Sequence, residues 1–175
     1  AFVWKATADV ILDKVRRYLL GSGSATLAGE WGEYGTGDGQ FVSPAWISSD
    51  TSGNLYVSDQ TRVQKFTAAG AFLQLMVSGS YNPVARWSGG YLYLVDPSTQ
   101  RVERRGADMV LLASWGKSGS LPGEFNQPRG IAVNPSGYLI VVDGGNDRLQ
   151  RFSGGYRLGA ILTGIEDATG GMTQL

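Results

Sequence analysis

The sequence predicts an all-β protein in which one four-stranded antiparallel sheet motif is repeated, and three observations carry that expectation. A block recurs: residues 30–59 align without gaps to 114–143, placing Trp31 and Trp115, Phe41 and Phe125, Pro44 and Pro128, Gly53 and Gly137, and Asp59 and Asp143 each 84 positions apart. Glycine is abundant, 26 of 175 residues, while only 17% are charged, which suits short strands joined by tight turns rather than long solvated helices. The apolar runs are a few residues long and end at turn residues, the signature of strands.

An offset of 84 reads as two units of about 42, and the unit between them is present in shortened form over 80–96, with Tyr81 in the Phe slot, Pro83 in the Pro slot and Asp96 in the Asp slot. A degenerate copy opens the chain. There Asp9 and Lys14 keep the five-residue spacing of Asp96 to Arg101 and Asp143 to Arg148, whereas Asp59 to Arg62 is two residues tighter. The units are therefore placed at about 1–31, 32–79, 80–115 and 116–164, with 165–175 leading into a next one.

Each unit resolves into four strands. An apolar run after the Pro (AWIS, VARW, GIAV) predicts a buried first strand, and a Gly-containing turn then leads to a second strand rich in aromatic and β-branched residues (LYVSD, YLYLVD, LIVVD). The third alternates with period two: Val63 and Lys65 oppose Gln64 and Phe66, and Leu149 and Arg151 oppose Gln150 and Phe152, which predicts half burial. The fourth is expected at 25–31, 72–77, 110–115 and 158–163. Four antiparallel strands per unit of this length make the blade of a β-propeller, here about four blades with the first incomplete, in a single domain over 1–175.

On these residues the chain resembles the NHL-repeat β-propeller family. The unit 116–152 carries Phe125, Pro128, Gly130, Ile131, Gly137, Val142, Asp143, Asn146, Arg148, Gln150 and Phe152, which follow the family pattern nearly throughout. The unit 32–66 keeps Phe41, Pro44, Gly53, Tyr56, Val57, Asp59, Arg62, Gln64 and Phe66, with Ala45 and Trp46 where the pattern has Gly-Ile. The resemblance implies six blades, so the chain is also open to being part of a larger propeller. It further implies protein or RNA interaction, or, in related propellers, lyase or calcium-dependent hydrolase and lactonase chemistry at a central metal.

Composition narrows these classes. With 15 basic and 15 acidic residues the net charge is zero, so no overall field draws a polyanion and nucleic acid is disfavoured as a partner. The absence of Cys and His leaves no thiolate nucleophile, imidazole base or lyase-type metal site in these residues. A calcium-dependent hydrolase needs carboxylates on innermost strands, which offer few. The expectation is a non-enzymatic module without cofactor, catalytic residue or metal, binding a protein or copies of itself. No apolar run approaches the roughly 20 residues of a spanning helix. The lack of Cys, His and charge points to an extracellular or cell-surface setting, with the cytoplasm as the alternative.

Several residues stand out individually. The recurring pairs Asp9 and Lys14, Asp59 and Arg62, Asp96 and Arg101, and Asp143 and Arg148 read as structural, with each Asp accepting from turn amides or from the basic side chain. Trp31 and Trp115, ending outer strands, are expected to pack between blades. Arg86, Trp87 and Arg129 break the apolar pattern of innermost strands and, with Tyr34 and Asn82, are the candidate partner-binding residues at a channel mouth. The register sets the chain's first residues inside the second strand of a blade and Leu175 in the Phe slot of another. That leaves an incomplete blade whose open edges invite strand addition by further copies, and a non-closing addition would build a filament.

Overall fold

Short strands and positive-φ turns give the chain sixteen β-strands in four antiparallel sheets among its described residues. The computed structural model describes residues 2–7, 13–78, 84–86, 90–134, 136–153, 165–166 and 172–173, with side-chain surroundings given within 13–77, 90–134 and 136–152. The first sheet is β1 (Phe2–Thr7), β2 (Lys14–Leu20) and β3 (Ala25–Trp31). The second is β4 (Trp46–Ser49), β5 (Leu55–Ser58), β6 (Arg62–Phe66) and β7 (Phe72–Ser78). The third comprises β8 (Val84–Arg86), β9 (Leu92–Asp96), β10 (Arg101–Arg105) and β11 (Leu111–Trp115). The fourth runs through β12 (Pro128–Val133), β13 (Tyr138–Asp143), β14 (Arg148–Ser153), β15 (Ile165–Glu166) and β16 (Met172–Thr173), with a 3-10 turn, Gly144–Asn146, between β13 and β14.

Every sheet is a meander of sequential neighbours, the arrangement that hairpin turns enforce. The chain divides into two compact units, Ala1–Val84 and Ala85–Leu175, the boundary falling within β8. Each unit has its own core, and the two cores are built from matching positions. In the first, Val15, Phe41, Leu55, Val57 and Phe66 are buried together, with Trp31, Ile47 and Phe72 packed around them. In the second, Val95, Val102, Phe125, Leu139, Val141 and Phe152 are buried, with Trp115 and Ile131 among the residues around them.

The tryptophans meet their expected role: Trp31 lies 6.1 Å from the Phe66 ring, and Trp115 lies 6.1 Å from that of Phe152, each reaching from one sheet to the next within its unit. The glycine after each tryptophan makes room for a loop phenylalanine. Gly32 and Gly116 have φ of 96° and 94°, and a Cβ there would stand 2.4 Å from the Phe41 ring and 2.5 Å from the Phe125 ring, so backbone conformation and packing both require glycine.

Four expectations are corrected. The first strands β4 and β12 are buried only in part: Trp46 is exposed in β4, and Arg129 and Ala132 are exposed in β12, edge strands with a neighbour on one side only. β6 is almost wholly buried rather than half buried, since the Arg62 and Gln64 side chains turn inward to bond loop carbonyls. In the last sheet, the strand paired with β14 is Ile165–Glu166, while the expected 158–163 lies outside the described residues. The 165–175 segment thus contributes β15 and β16 to the fourth sheet.

Candidate functional site

Two loops, 32–44 and 116–128, join one sheet to the next within each unit, and the same hydrogen bonds shape both. The Phe41 amide donates to the Glu33 carbonyl (2.8 Å) and the Gly35 amide to the Phe41 carbonyl (3.0 Å); Phe125 repeats this with Lys117 (2.8 Å) and Gly119 (3.0 Å). With Phe41 and Phe125 fully buried, each loop is pinned at its base by an aromatic anchor.

A buried polar lock fixes the rest. Arg62 donates to the carbonyls of Thr36, Gly37 (2.7 Å) and Gln40 (3.0 Å). Arg148 does the same to Ser120 (2.6 Å), Leu121 (2.8 Å) and Glu124 (2.8 Å). The planar guanidinium suits this work because its several donors converge on three carbonyls at once. Gln64 and Gln150 add a two-way bond, donating to the carbonyls of Gln40 and Glu124 (2.7 Å each) while accepting from the amides of Gly39 and Gly123 (2.9 Å each).

The repeated aspartates complete the lock. Asp59 Oδ2 accepts the Val42 amide (3.1 Å), and Asp143 Oδ1 accepts the Asn126 amide (2.7 Å). Asp59 Oδ1 also takes the turn amides of Thr61 (2.7 Å) and Arg62 (2.9 Å). Asp143 Oδ2 instead collects Asn146 (2.8 Å), Arg148 Nε (2.8 Å) and Gln150 (3.0 Å). Arg62, three residues on, leaves its Nε 3.7 Å from Asp59, whereas Arg148, five residues on, brings its Nε to 2.8 Å from Asp143. The acceptor capacity of both carboxylates is thus committed to the loop and turn beside them.

The other two pairs diverge. Asp96 accepts from Ser98 and Thr99, amides and hydroxyls both; burial raises its pKa, but those four hydrogen bonds outweigh it and hold the carboxyl below its ordinary range. Arg101 donates to the Gly116 carbonyl (3.2 Å) instead of Asp96. Asp9 lies outside the described residues, and Lys14 bonds Glu30.

At the top of the loops the sequences differ. Gln40 Oε1 accepts the Gly37 amide (2.8 Å), and its amide nitrogen donates to Glu33 (2.9 Å). In the matching place Glu124 Oε2 accepts the Leu121 amide (2.9 Å), and Oε1 pairs with Lys117 (3.0 Å). The Leu121 amide, then the Lys117 ammonium, hold the Glu124 carboxyl below its usual range. On these braced loops Tyr34 is 73% exposed and Leu121 64% exposed.

Of the candidate partner-binding residues, Tyr34 lies on the first loop, and Arg129, exposed at the start of β12, donates to Gln127 of the second loop (2.9 Å). Arg86 lies on β8, and its side chain, with Trp87 and Asn82, is outside the described residues. Leu121 and the glutamines of the lock were not among the sequence candidates. Gln64 and Gln150 recur in the repeat and could have been found by asking what a polar residue does on the inward face of a strand. Among the described residues no group of three potential metal-ligating side chains comes together.

The family model for the NHL repeat matches residues 125–152, the stretch that carries Asp143, Arg148 and Gln150 of the second lock. The B-box type zinc finger protein ncl-1 of Caenorhabditis elegans is 36% identical over 59 residues, 34% of this chain and 7% of that protein. Among solved structures, a protein from Lactobacillus plantarum aligns over 97% of this chain and 54% of its own with TM-score 0.63 and 16% identity. A chain of a nidogen/laminin complex aligns over 86% and 56% (TM-score 0.61, 17% identity), and virginiamycin B lyase from Staphylococcus aureus over 93% and 48% (TM-score 0.55, 14% identity). The chain spans about half the length of these structures. Residues 125–152 match the NHL repeat, and the chain has an all-β, propeller-type fold.

Proposed function

We propose that the chain is a non-enzymatic NHL-repeat module that binds protein through its braced loops, 32–44 in the first unit and 116–128 in the second, each loop acting by itself. One observation carries this reading: large side chains, Tyr34 and Leu121, stand exposed on loops whose backbone is fixed beneath by an arginine bonded to three carbonyls. An anchor already held in place loses little conformational freedom on binding, which favours affinity. The similar chain from the nidogen/laminin complex offers a precedent for protein assembly on this fold, and the similar lyase a precedent for catalysis, so the fold alone does not choose.

The test compares proteins retained from cell extracts and culture media by the immobilised chain and by a Tyr34→Ser, Leu121→Ser double variant with unchanged circular dichroism. A partner held by the first and lost by the second supports the reading, whereas partners retained equally by both contradict it. A calcium-dependent rise of several degrees in the unfolding temperature would instead favour the hydrolase alternative, and salt-sensitive binding of single-stranded RNA the RNA-binding one.

A further inference from the structure

The strands β4 and β12 begin with different residues, and the exchanges between them are matched on the neighbouring turn and strand. Where β4 carries Trp46 opposite Ser58, β12 carries Gly130 opposite Val142, and a Cβ on Gly130 would stand 2.7 Å from the Val142 side chain. One residue earlier, Ala45 of the first unit gives way to Arg129, and Gln60, the residue after Asp59, gives way to Gly144. A Cβ on Gly144 would meet Arg129 at Cδ (2.8 Å), Nε (3.0 Å) and Cγ (3.2 Å). The backbone at Gly144 does not lie in the left-handed region, so its conformation alone does not call for glycine. The Arg129 side chain does, and the turn gives that side chain a flat floor.

Arg129 is held at its far end as well. Its Nη2 donates to Gln127 Oε1 (2.9 Å), and the Gln127 amide in turn donates to Gln100 Oε1 (2.7 Å), as the Ser43 amide of the first unit donates to Asp13 Oδ1 (3.2 Å). Among the described residues the guanidinium has no further hydrogen-bond partner and no carboxylate at ion-pair distance. The other arginines spend their charge inside the fold: Arg16 and Arg105 face carboxylates, Arg62 and Arg148 loop carbonyls, and Arg104 and Arg151 tyrosine rings. Arg129 is instead an exposed cation, steadied by a neutral amide and a glycine backbone, with most of its donors open to solvent.

We propose that Arg129 is a receptor for a carboxylate side chain on an acidic segment of a partner protein. A planar guanidinium presents its N–H donors in the spacing of the two oxygens of a carboxylate. Because this side chain is already seated, binding costs it less rotamer freedom than it would cost a loose arginine. The charge nearby selects the kind of anion. Along the β13–β14 turn and the start of β12, Arg129 and Arg148 are matched by Asp143 and Asp147, so no excess of cations favours a phosphate dianion or a nucleic-acid backbone. Ala45, at the matching place in the first unit, offers no charge, which makes the receptor a property of the second unit. It is also separate from the exposed Tyr34 and Leu121, and the inference does not depend on binding through them.

Titration of the isotope-labelled chain with capped hexaglutamate, followed by NMR at low salt, tests it. The Gln127, Gly144 and Gly145 amides and the Arg129 Nε–H are expected to shift together and to saturate with a dissociation constant on the order of 1 mM. Arg129→Ala is expected to weaken this about tenfold or more, and Arg129→Lys to keep only part of it, since a point charge lacks the fork. Gly144→Ala keeps the charge and disturbs only its seat; it is expected to weaken binding about threefold, a change that a merely attractive charge would not show. The Tyr34→Ser, Leu121→Ser variant is expected to bind hexaglutamate as the unaltered chain does, so this inference and loop-mediated binding fail separately. Absence of saturating shifts at about 10 mM peptide overturns the proposal. So do shifts that Arg129→Ala leaves unchanged, or inorganic phosphate or single-stranded RNA binding at the same amides more tightly than the peptide.

Discussion

The loops 32–44 and 116–128 are the same device built with different chemistry, and comparing them separates what the repeat demands from what each copy is free to vary. Both keep the buried Phe, the arginine on three carbonyls and the two-way glutamine. They differ where the aspartate spends its bonds and where the loop meets water. Asp59 serves turn amides, while Asp143 gathers three side chains; Gln40 faces Glu33, while Glu124 faces Lys117. The backbone of the loop is thus repeated within the molecule by the same polar bonds, and its rim is where the two copies differ.

The largest expected effect should be common to both units. Phe41→Ala and Phe125→Ala each remove a fully buried ring and leave a cavity, and each is expected to cost about 3–5 kcal/mol by urea denaturation. A loss confined to one of them would break the equivalence. The aspartates sharpen the difference: Asp143→Asn is expected to cost about 2–3 kcal/mol and Asp59→Asn about 1 kcal/mol, because an amide keeps the acceptor that Thr61 and Arg62 need but loses the charge that Arg148 and its neighbours share.

Acidity gives the smallest effect and the most selective one. The Glu124 carboxyl is held below its ordinary range when folded, so its contribution is fully present above the unfolded pKa and is lost as pH falls through the folded one. Acid titration followed by NMR of the Leu121 amide should therefore show the second loop loosening, whereas the Gly37 amide, whose acceptor Gln40 does not titrate, should keep its bond to that side chain. Because Lys117 is mostly exposed, added salt should weaken its part of the effect.

Much of this was legible in the residues. A gap-free alignment at an offset of 84 fixes the sheet motif, and the Phe, Pro, Gly and Asp positions within it mark turns and anchors that the structure repeats. Recurrence singles out Asp59 and Asp143, and spacing alone does not reveal the partners of each. What escaped was of two kinds. Asp13 and Gln100 do one job with different side chains, so identity could not reveal them. The inward turn of Arg62 and Gln64 is dictated by carbonyls about 25 residues earlier in the chain, a tertiary relation that a period-two pattern does not encode.

Amide hydrogen exchange on the intact chain and on Arg148→Ala measures most directly whether the arginines hold these loops rigid. In the unaltered protein the amides of Gly35, Phe41, Gly119 and Phe125 should exchange slowly, and the variant should lose protection across 119–125 while 35–41 stays protected. Fast exchange in both loops of the unaltered chain, or unchanged protection at 119–125 in the variant, would contradict it.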